Sequence, residues 1–196
     1  MSLFDKVVGE VIPPESEEER RRAREKAQAF AAPDDWLGLI LEQHARIEAA
    51  FAAVARAPGP ASRWAALRSL ALLLTAHANA EEAVIYPALV RAGHRWRARA
   101  GYKEQAQAKV MMAELEYLDP VAQEFLDELD NIRGSVAHHM YEEESKRLLD
   151  LKQLTVQEQE QLTDRFQQEF DRYLSNAPAG RAASTQNRPD SPPASR

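Results

Sequence analysis

Between Trp36 and Tyr173 apolar residues recur every three or four positions, the spacing that aligns one face of an α-helix. Ile40, His44, Ile47, Phe51 and Val54 form one such stripe. Leu67, Leu70, Leu74, His77, Glu81, Val84 and Ala88 form a second, and Phe125, Leu129, Ile132, Val136, His139 and Glu143 a third. No segment shows the two-residue alternation of a half-buried strand, so the pattern predicts an all-α protein. Each stripe carries a histidine in its apolar run, and two of them carry a glutamate one turn later.

Capping and breaking residues set the limits of the elements. Asp34 or Asp35 caps a first bundle helix ending near Ala57, and Pro58-Gly59-Pro60 stops it. A second helix is expected over 62–90, closing near Gly93, and a third over 99–118. Asp119-Pro120 supplies an N-cap and a first-turn proline for a fourth that runs to about 149. Thr155 and Glu158 make a capping box for a fifth helix ending near Ser175. These elements read as an antiparallel four-helix bundle with an added C-terminal helix, together spanning 34–175. Ahead of the bundle, residues 1–33 form an arm. Pro13-Pro14 interrupts it, Ser16 and Glu19 box the start of a charged helix reaching Phe30, and Pro33 ends it. Residues 176–196 are rich in Pro, Ala, Ser and Asn, with little to bury, and read as a disordered tail.

Composition narrows the partners. With 25 Lys and Arg against 31 Asp and Glu, the net charge of -6 disfavours nucleic acid, which needs a basic face. The one basic run, Arg91, Arg95, Arg97 and Arg99, is short. The chain has no cysteine, which excludes disulfides, thiolate metal sites and iron–sulfur clusters. No apolar run approaches the roughly 18 residues of a membrane span, and the first residues do not resemble a secretory signal. The reading is a cytoplasmic protein without a membrane partner.

The interrupted stripes carry the chemistry. A histidine on an apolar face is ordinarily a satisfied core residue. A glutamate behind it on the same buried face is costly unless something positive lies between. His77/Glu81 and His139/Glu143 are two such pairs on different helices, and residues four apart on a helix lie about 6 Å from each other. Imidazole and carboxylate without sulfur suit iron, manganese or zinc. Stepping back from His138 meets Ser135, Gly134 and Asn131, a polar face, whereas His139 continues the apolar one. His139/Glu143 is therefore the inward pair, and Glu142 and Glu144 fall to the solvated face. Glu48, four residues after His44, has Arg46 and Arg56 as ordinary surface partners. Tyr86 and Pro87 read as core or turn residues.

Three stretches together resemble the hemerythrin family, in particular the bacterial HHE cation-binding domains. They are Leu41-Glu-Gln-His-Ala-Arg-Ile-Glu-Ala-Ala-Phe51, Ala76-His-Ala-Asn-Ala-Glu-Glu-Ala-Val-Ile-Tyr-Pro87 and His138-His-Met-Tyr-Glu-Glu-Glu144. The resemblance covers about residues 36–173. It implies a di-iron site in which Glu81 and Glu143 bridge and His44, His77 and His139 are terminal ligands. The family places a further histidine on the third helix. Here Glu104-Gln105-Ala-Gln-Ala-Lys109 stands in that region, with Gln105 at the ligand position, leaving the second iron position short of a ligand unless Glu104 or Tyr102 reaches in. Gln43 likewise replaces an aspartate common in the family.

The resemblance implies binding of O2 or a related small oxidant such as NO or peroxide, for sensing, storage or detoxification. Two other functions fit the residues: a di-iron redox enzyme acting on peroxide or Fe(II), and a metal-poor bundle that binds a protein partner through its arm or tail.

Overall fold

The structure, a computed structural model, describes residues 15–32 and 34–176. The expectations attached to Pro13-Pro14, to Pro33 and to the tail beyond Asn176 lie outside the described residues. Among those described, every regular element is helical: α1 (Glu17–Gln28), α2 (Trp36–Arg56), α3 (Pro60–Ala80), α4 (Tyr86–Arg91), α5 (Arg95–Leu115), α6 (Gln123–Glu142) and α7 (Val156–Asn176). A π turn (Glu81–Ile85) joins α3 to α4 without a break. A second π turn (Glu143–Arg147) prolongs α6 and leads to a 3-10 turn (Leu149–Gln153). None of these helices is long and apolar enough to cross a membrane.

Four of the long helices, α2, α3, α5 and α6, make up the bundle, and the short connections between them make successive ones antiparallel. They close a ring in which α2 packs on α3 and α6, and α5 packs on α6 and α3. The core between them holds Ile40, Ile47, Phe51, Leu67, Leu70, Phe125, Leu129 and Ile132, largely the sequence stripes. Leu73 is buried on α3 where the pattern favoured Leu74, which is half-buried. α7 lies across α2, α3 and the first π turn, burying Leu162, Phe166 and Phe170. α1 lies against α2, α6 and the second π turn through Ala23 and Ala27.

Both expected capping boxes form. Glu19 N–H donates to Ser16 Oγ at 3.2 Å and Ser16 N–H to Glu19 Oε2 at 2.8 Å. Glu158 N–H donates to Thr155 Oγ1 at 3.3 Å and Thr155 N–H to Glu158 Oε2 at 2.9 Å. Asp35, not Asp34, caps α2, accepting from Gly38 N–H at 2.7 Å.

Several limits differ from the sequence reading. α5 begins at Arg95, four residues before the expected Arg99, because Gly93 adopts φ 89° and closes the preceding helix within a single residue. His94 N–H donates to Leu89 O at 2.8 Å there, and His94 itself becomes the N-cap of α5. Asp119-Pro120 does not open α6, which starts at Gln123. The Asp119 carboxylate accepts from Val121 N–H at 3.0 Å, spending its capping capacity on a turn. Arg63 holds this turn by donating to Pro120 O, and it donates to the α2 end carbonyls of Val54 and Ala57 at 3.3 and 3.0 Å. The second and fourth bundle helices, expected as continuous α-helices, each contain a π turn.

Candidate metal centre

The two π turns begin at Glu81 and Glu143, the carboxylates of the two interrupted stripes. In an α-helix a residue five positions on lies about 140° round the axis. In the π turns the backbone closes after five residues: Tyr86 N–H bonds Glu81 O, and Leu148 N–H bonds Glu143 O. Each turn keeps its glutamate on the inward face and rotates the chain that follows. Such turns recur at functional sites in other proteins.

Four predicted residues meet at the centre of the bundle. One ligand-type atom from each of His44, His77, Glu81 and Glu143 lies within 4.8 Å of the others, and all four side chains are buried. His77 Nε2 is 3.4 Å from Glu81 Oε2, and His44 Nε2 is 3.5 Å from Glu143 Oε2. His139, the fifth, stands to one side of this group. Its Nε2 is 3.4 Å from Glu143 Oε2 and 3.9 Å from Glu81 Oε2. His138 faces outward, paired with Glu15 at 2.7 Å, as the polar face behind it predicts.

Each of the three inward histidines is held from behind. His44 Nδ1 donates to Glu144 Oε1 at 2.7 Å, His77 Nδ1 to Gln43 Oε1 at 2.9 Å and His139 Nδ1 to Glu104 Oε2 at 2.7 Å. These oxygens only accept, so each ring carries its proton on Nδ1 and turns Nε2 inward. Glu104 is itself clamped by both Arg147 Nη atoms, at 2.6 and 2.7 Å, and Glu144 by Arg24 Nε at 2.7 Å. An imidazole fixed through its other nitrogen by a carboxylate or carbonyl is the usual support of a metal ligand.

The donor atoms fit a cation. His44 Nε2, His77 Nε2, Glu81 Oε1 and Glu143 Oε2 are buried without a hydrogen-bond partner, and they belong to the four residues whose ligand-type atoms gather within 4.8 Å of one another. Unsatisfied buried polar atoms cost about 1–3 kcal/mol each and are uncommon unless a ligand or ion meets them. A cation accepted by two imidazoles and two carboxylates satisfies them together.

The electrostatics describe the same need. Burial opposes charge on His44, but Glu143 and Glu144 beside it hold it protonated, up to about 9. Burial also opposes charge on His139, and Glu143, Glu104 and Glu81 raise it to about 10. Burial and the adjacent His44 push His77 well down, keeping it neutral. Glu81 is pushed up to about 7 by burial and by Glu143. Glu143 resists burial through His139 and His44 and stays well below the usual carboxylate range. Without a metal, protons therefore supply the positive charge that the carboxylates require.

Several residues here were not found in the sequence or were read differently. Glu144 was expected on a solvated face but is buried, bonding His44 and Arg24. Its partners lie on two helices, a hundred and 120 residues away, which no local pattern shows. Glu48 stays outside the cluster, pairing with Arg24 at 3.1 Å in place of Arg46 or Arg56. Tyr86, read as core or turn, turns its hydroxyl into the cluster: 3.1 Å from Glu143 Oε1, 3.4 Å from His139 Nε2 and 3.5 Å from Glu81 Oε2. Burial and the Glu143 and Glu81 carboxylates push its pKa well up.

On α5, Gln105 faces the cluster, as its position implies, and its Nε2 donates to Glu81 Oε2 at 2.6 Å. Neither suggested substitute reaches in. Glu104 supports His139 from outside, and Tyr102 donates its hydroxyl to Glu82 O at 2.8 Å. Beside Gln105 a cavity of about 220 Å³ leads toward His77 and His139, walled by Leu74, Ala108, Met112 and Val136. His77, Gln105 and His139 form part of its wall.

A family model for the hemerythrin HHE cation binding domain matches residues 37–149, more than half of the chain. No curated protein and no solved structure gives a significant match. The matched span contains His44, His77, Glu81, His139 and Glu143 together with Gln43, Tyr86, Glu104, Gln105 and Glu144. On that match, and with the all-helical bundle around it, the chain belongs to the hemerythrin HHE cation-binding domain family.

Proposed function

We propose that this chain is a non-haem iron protein that binds O2 or a related small oxidant, NO or peroxide, for sensing, storage or detoxification. His44, His77, His139, Glu81 and Glu143 would hold the metal. The observation that carries the reading is the convergence of unpartnered Nε2 and carboxylate atoms whose opposite sides are all tied down. Imidazole and carboxylate donors without thiolate suit iron. Iron bound there would supply a Lewis-acidic centre able to exchange electrons with a small oxidant.

The chain's own residues set the conditions. Glu144, Gln43 and Glu104 fix the imidazole planes, so little reorganisation accompanies metal entry. Phe51, Leu70, Ile132 and Val136 belong to the buried apolar core of the bundle that carries the cluster, a setting that limits the access of bulk water. Gln105 hydrogen-bonds Glu81 and leaves the α5 side of the cluster next to the cavity, the path by which a small molecule would approach. We further propose that residues 34–175 are the working unit and that the arm steadies it through Arg24.

Anaerobic loading with Fe(II), metal counting and then exposure to air tests the reading. It expects retained iron and a new ferric absorption on oxidation; a chain that retains no iron contradicts it. The cavity beside Gln105 also suits a turnover site. Repeated peroxide additions that are consumed would make the chain an enzyme, and a reversible adduct without consumption would make it a carrier or sensor.

A further inference from the structure

We propose that the cavity between α3, α5 and α6 binds a small neutral organic molecule, a phenol or an alcohol with an apolar body of about one ring, whose hydroxyl donates to Gln105 Oε1. The site is made by the chain's own side chains, so binding does not depend on the metal. The space arises from what α5 carries on either side of Gln105. A turn earlier the packing is tight: a Cβ added at Gly101 would lie 2.6 Å from Tyr86 Cζ. A turn later the wall is Ala108, and Ala71 and Ala78 of α3 line it too. These methyl side chains leave open what larger residues would fill. Leu74, Met112, Val136 and Met140 add to the apolar lining, and the volume is about 220 Å³. An apolar cavity of about 150 Å³ takes up benzene, so this one has room for a ring and a substituent. Thr75, Lys109 and Glu116, also in the wall, are exposed, which opens the cavity to solvent between α3 and α5.

Gln105 supplies the polar end. Its side chain is buried, and its Nε2 is committed to Glu81 Oε2 at 2.6 Å, which fixes the planar amide. The amide oxygen, directed away from that bond, is buried with no hydrogen-bond partner. An unmet buried acceptor is costly, and the O–H of a cavity occupant relieves it. The charged groups of the wall define the ligand's charge. Lys109 pairs with Glu82 at 2.7 Å, and Glu104 is taken by Arg147 and His139. With Glu116 the wall holds two carboxylates and one paired lysine, so nothing there attracts an anion. Apolar walls with one placed polar group are the usual make-up of a small-molecule site.

The test is calorimetric titration of the full chain with phenol and with toluene, which has the same shape but no donor. Iron is counted on each sample, and the titrations are repeated after chelation. Wild-type chain is expected to bind one phenol, about tenfold or more tighter than toluene, equally well before and after chelation. Gln105→Leu is expected to keep toluene binding and lose the preference for phenol. Ala108→Phe, which fills the cavity, is expected to bind neither while its helix content stays that of wild type. Failure of wild type to bind phenol overturns the proposal, as does equal affinity for phenol and toluene. A phenol preference that survives Gln105→Leu, or phenol binding that survives Ala108→Phe, places the molecule elsewhere and overturns it too. Phenol binding abolished by chelation assigns the hydroxyl to the metal and overturns the Gln105 contact. Chain that retains no iron yet binds phenol as described upholds this site while contradicting the proposed function, so the two readings fail separately.

Discussion

His44, His77 and His139 share one arrangement: Nδ1 committed to an acceptor from another helix or turn, Nε2 turned to the centre. Removing such a partner commonly lowers metal affinity about 10- to 100-fold. Glu144→Gln should do so, because Arg24 and His44 both lose a charged acceptor while the side chain keeps its size. A competition titration against a chelator measures it, and affinity equal to wild type would mean that Glu144 does not position His44. The pH dependence has a definite sign. His44 and His139 have folded pKa values of about 9 and 10, above the unbound 6.5, and Glu81 is raised to about 7 from 4.5. Above about pH 6.5 these three groups thus bind more protons in the metal-free fold than in the unfolded chain. The stabilisation from the two histidines is complete below about pH 6.5 and is lost as pH rises through 9 to 10. A metal displaces these same protons, so its affinity strengthens as pH rises. The melting temperature of metal-free chain should fall between pH 6 and pH 10, and the difference between iron-loaded and metal-free chain should widen. A difference that narrows over that range would contradict this. The inward positions of His77, Glu81, His139 and Glu143 were legible because a glutamate four residues after a histidine on an apolar stripe is a local pattern, and that of His44 because it continues the apolar stripe of its own helix. Their supports were not, since Gln43, Glu104 and Glu144 act across helices. Tyr86 was hidden for a different reason: five residues after Glu81, it shares a face with it only through a π turn.

At the scale of elements, the capping boxes at Ser16 and Thr155 were readable because both halves of each lie within four residues. The start of α6 was misread because Asp119-Pro120 is equally good chemistry for a turn, and Arg63 from a distant helix end decides between them. The start of α5 depended on whether Gly93 would reverse the chain at once, which composition around Arg95 did not show. The approach of Tyr86 to Gly101 makes a further prediction. Gly101→Ala places a methyl against a fully buried ring and should destabilise the chain by about 1–3 kcal/mol through overpacking. An alanine in mid-helix would otherwise stabilise by up to about 1 kcal/mol, so thermal unfolding decides by the direction of change. A rise in melting temperature would mean that α5 and the π turn do not fit together as described.

For the whole molecule, the bundle is closed by apolar layers above and below one polar centre, with α7 covering one side and α1 another. The fold class was legible because stripe spacing alone specifies helices that must pack together. The position of α1 was not, since its sequence resembles a solvated helix and only Arg24 links it to Glu144 and Glu48. The burden on this architecture is the group of unpartnered buried donors at its middle. A cation that binds only the folded chain relieves it and adds stability by mass action, about 2.7 kcal/mol at a hundredfold excess over Kd. The most direct measurement is an anaerobic Fe(II) titration of the full chain, with iron counted after gel filtration and thermal unfolding followed in parallel. The same titration is made on the double variant Glu81→Gln, Glu143→Gln. Wild-type chain should retain iron and melt at a temperature that rises with free iron, and the double variant should do neither. A melting temperature indifferent to iron and chelator, with no iron retained, would contradict the metal centre.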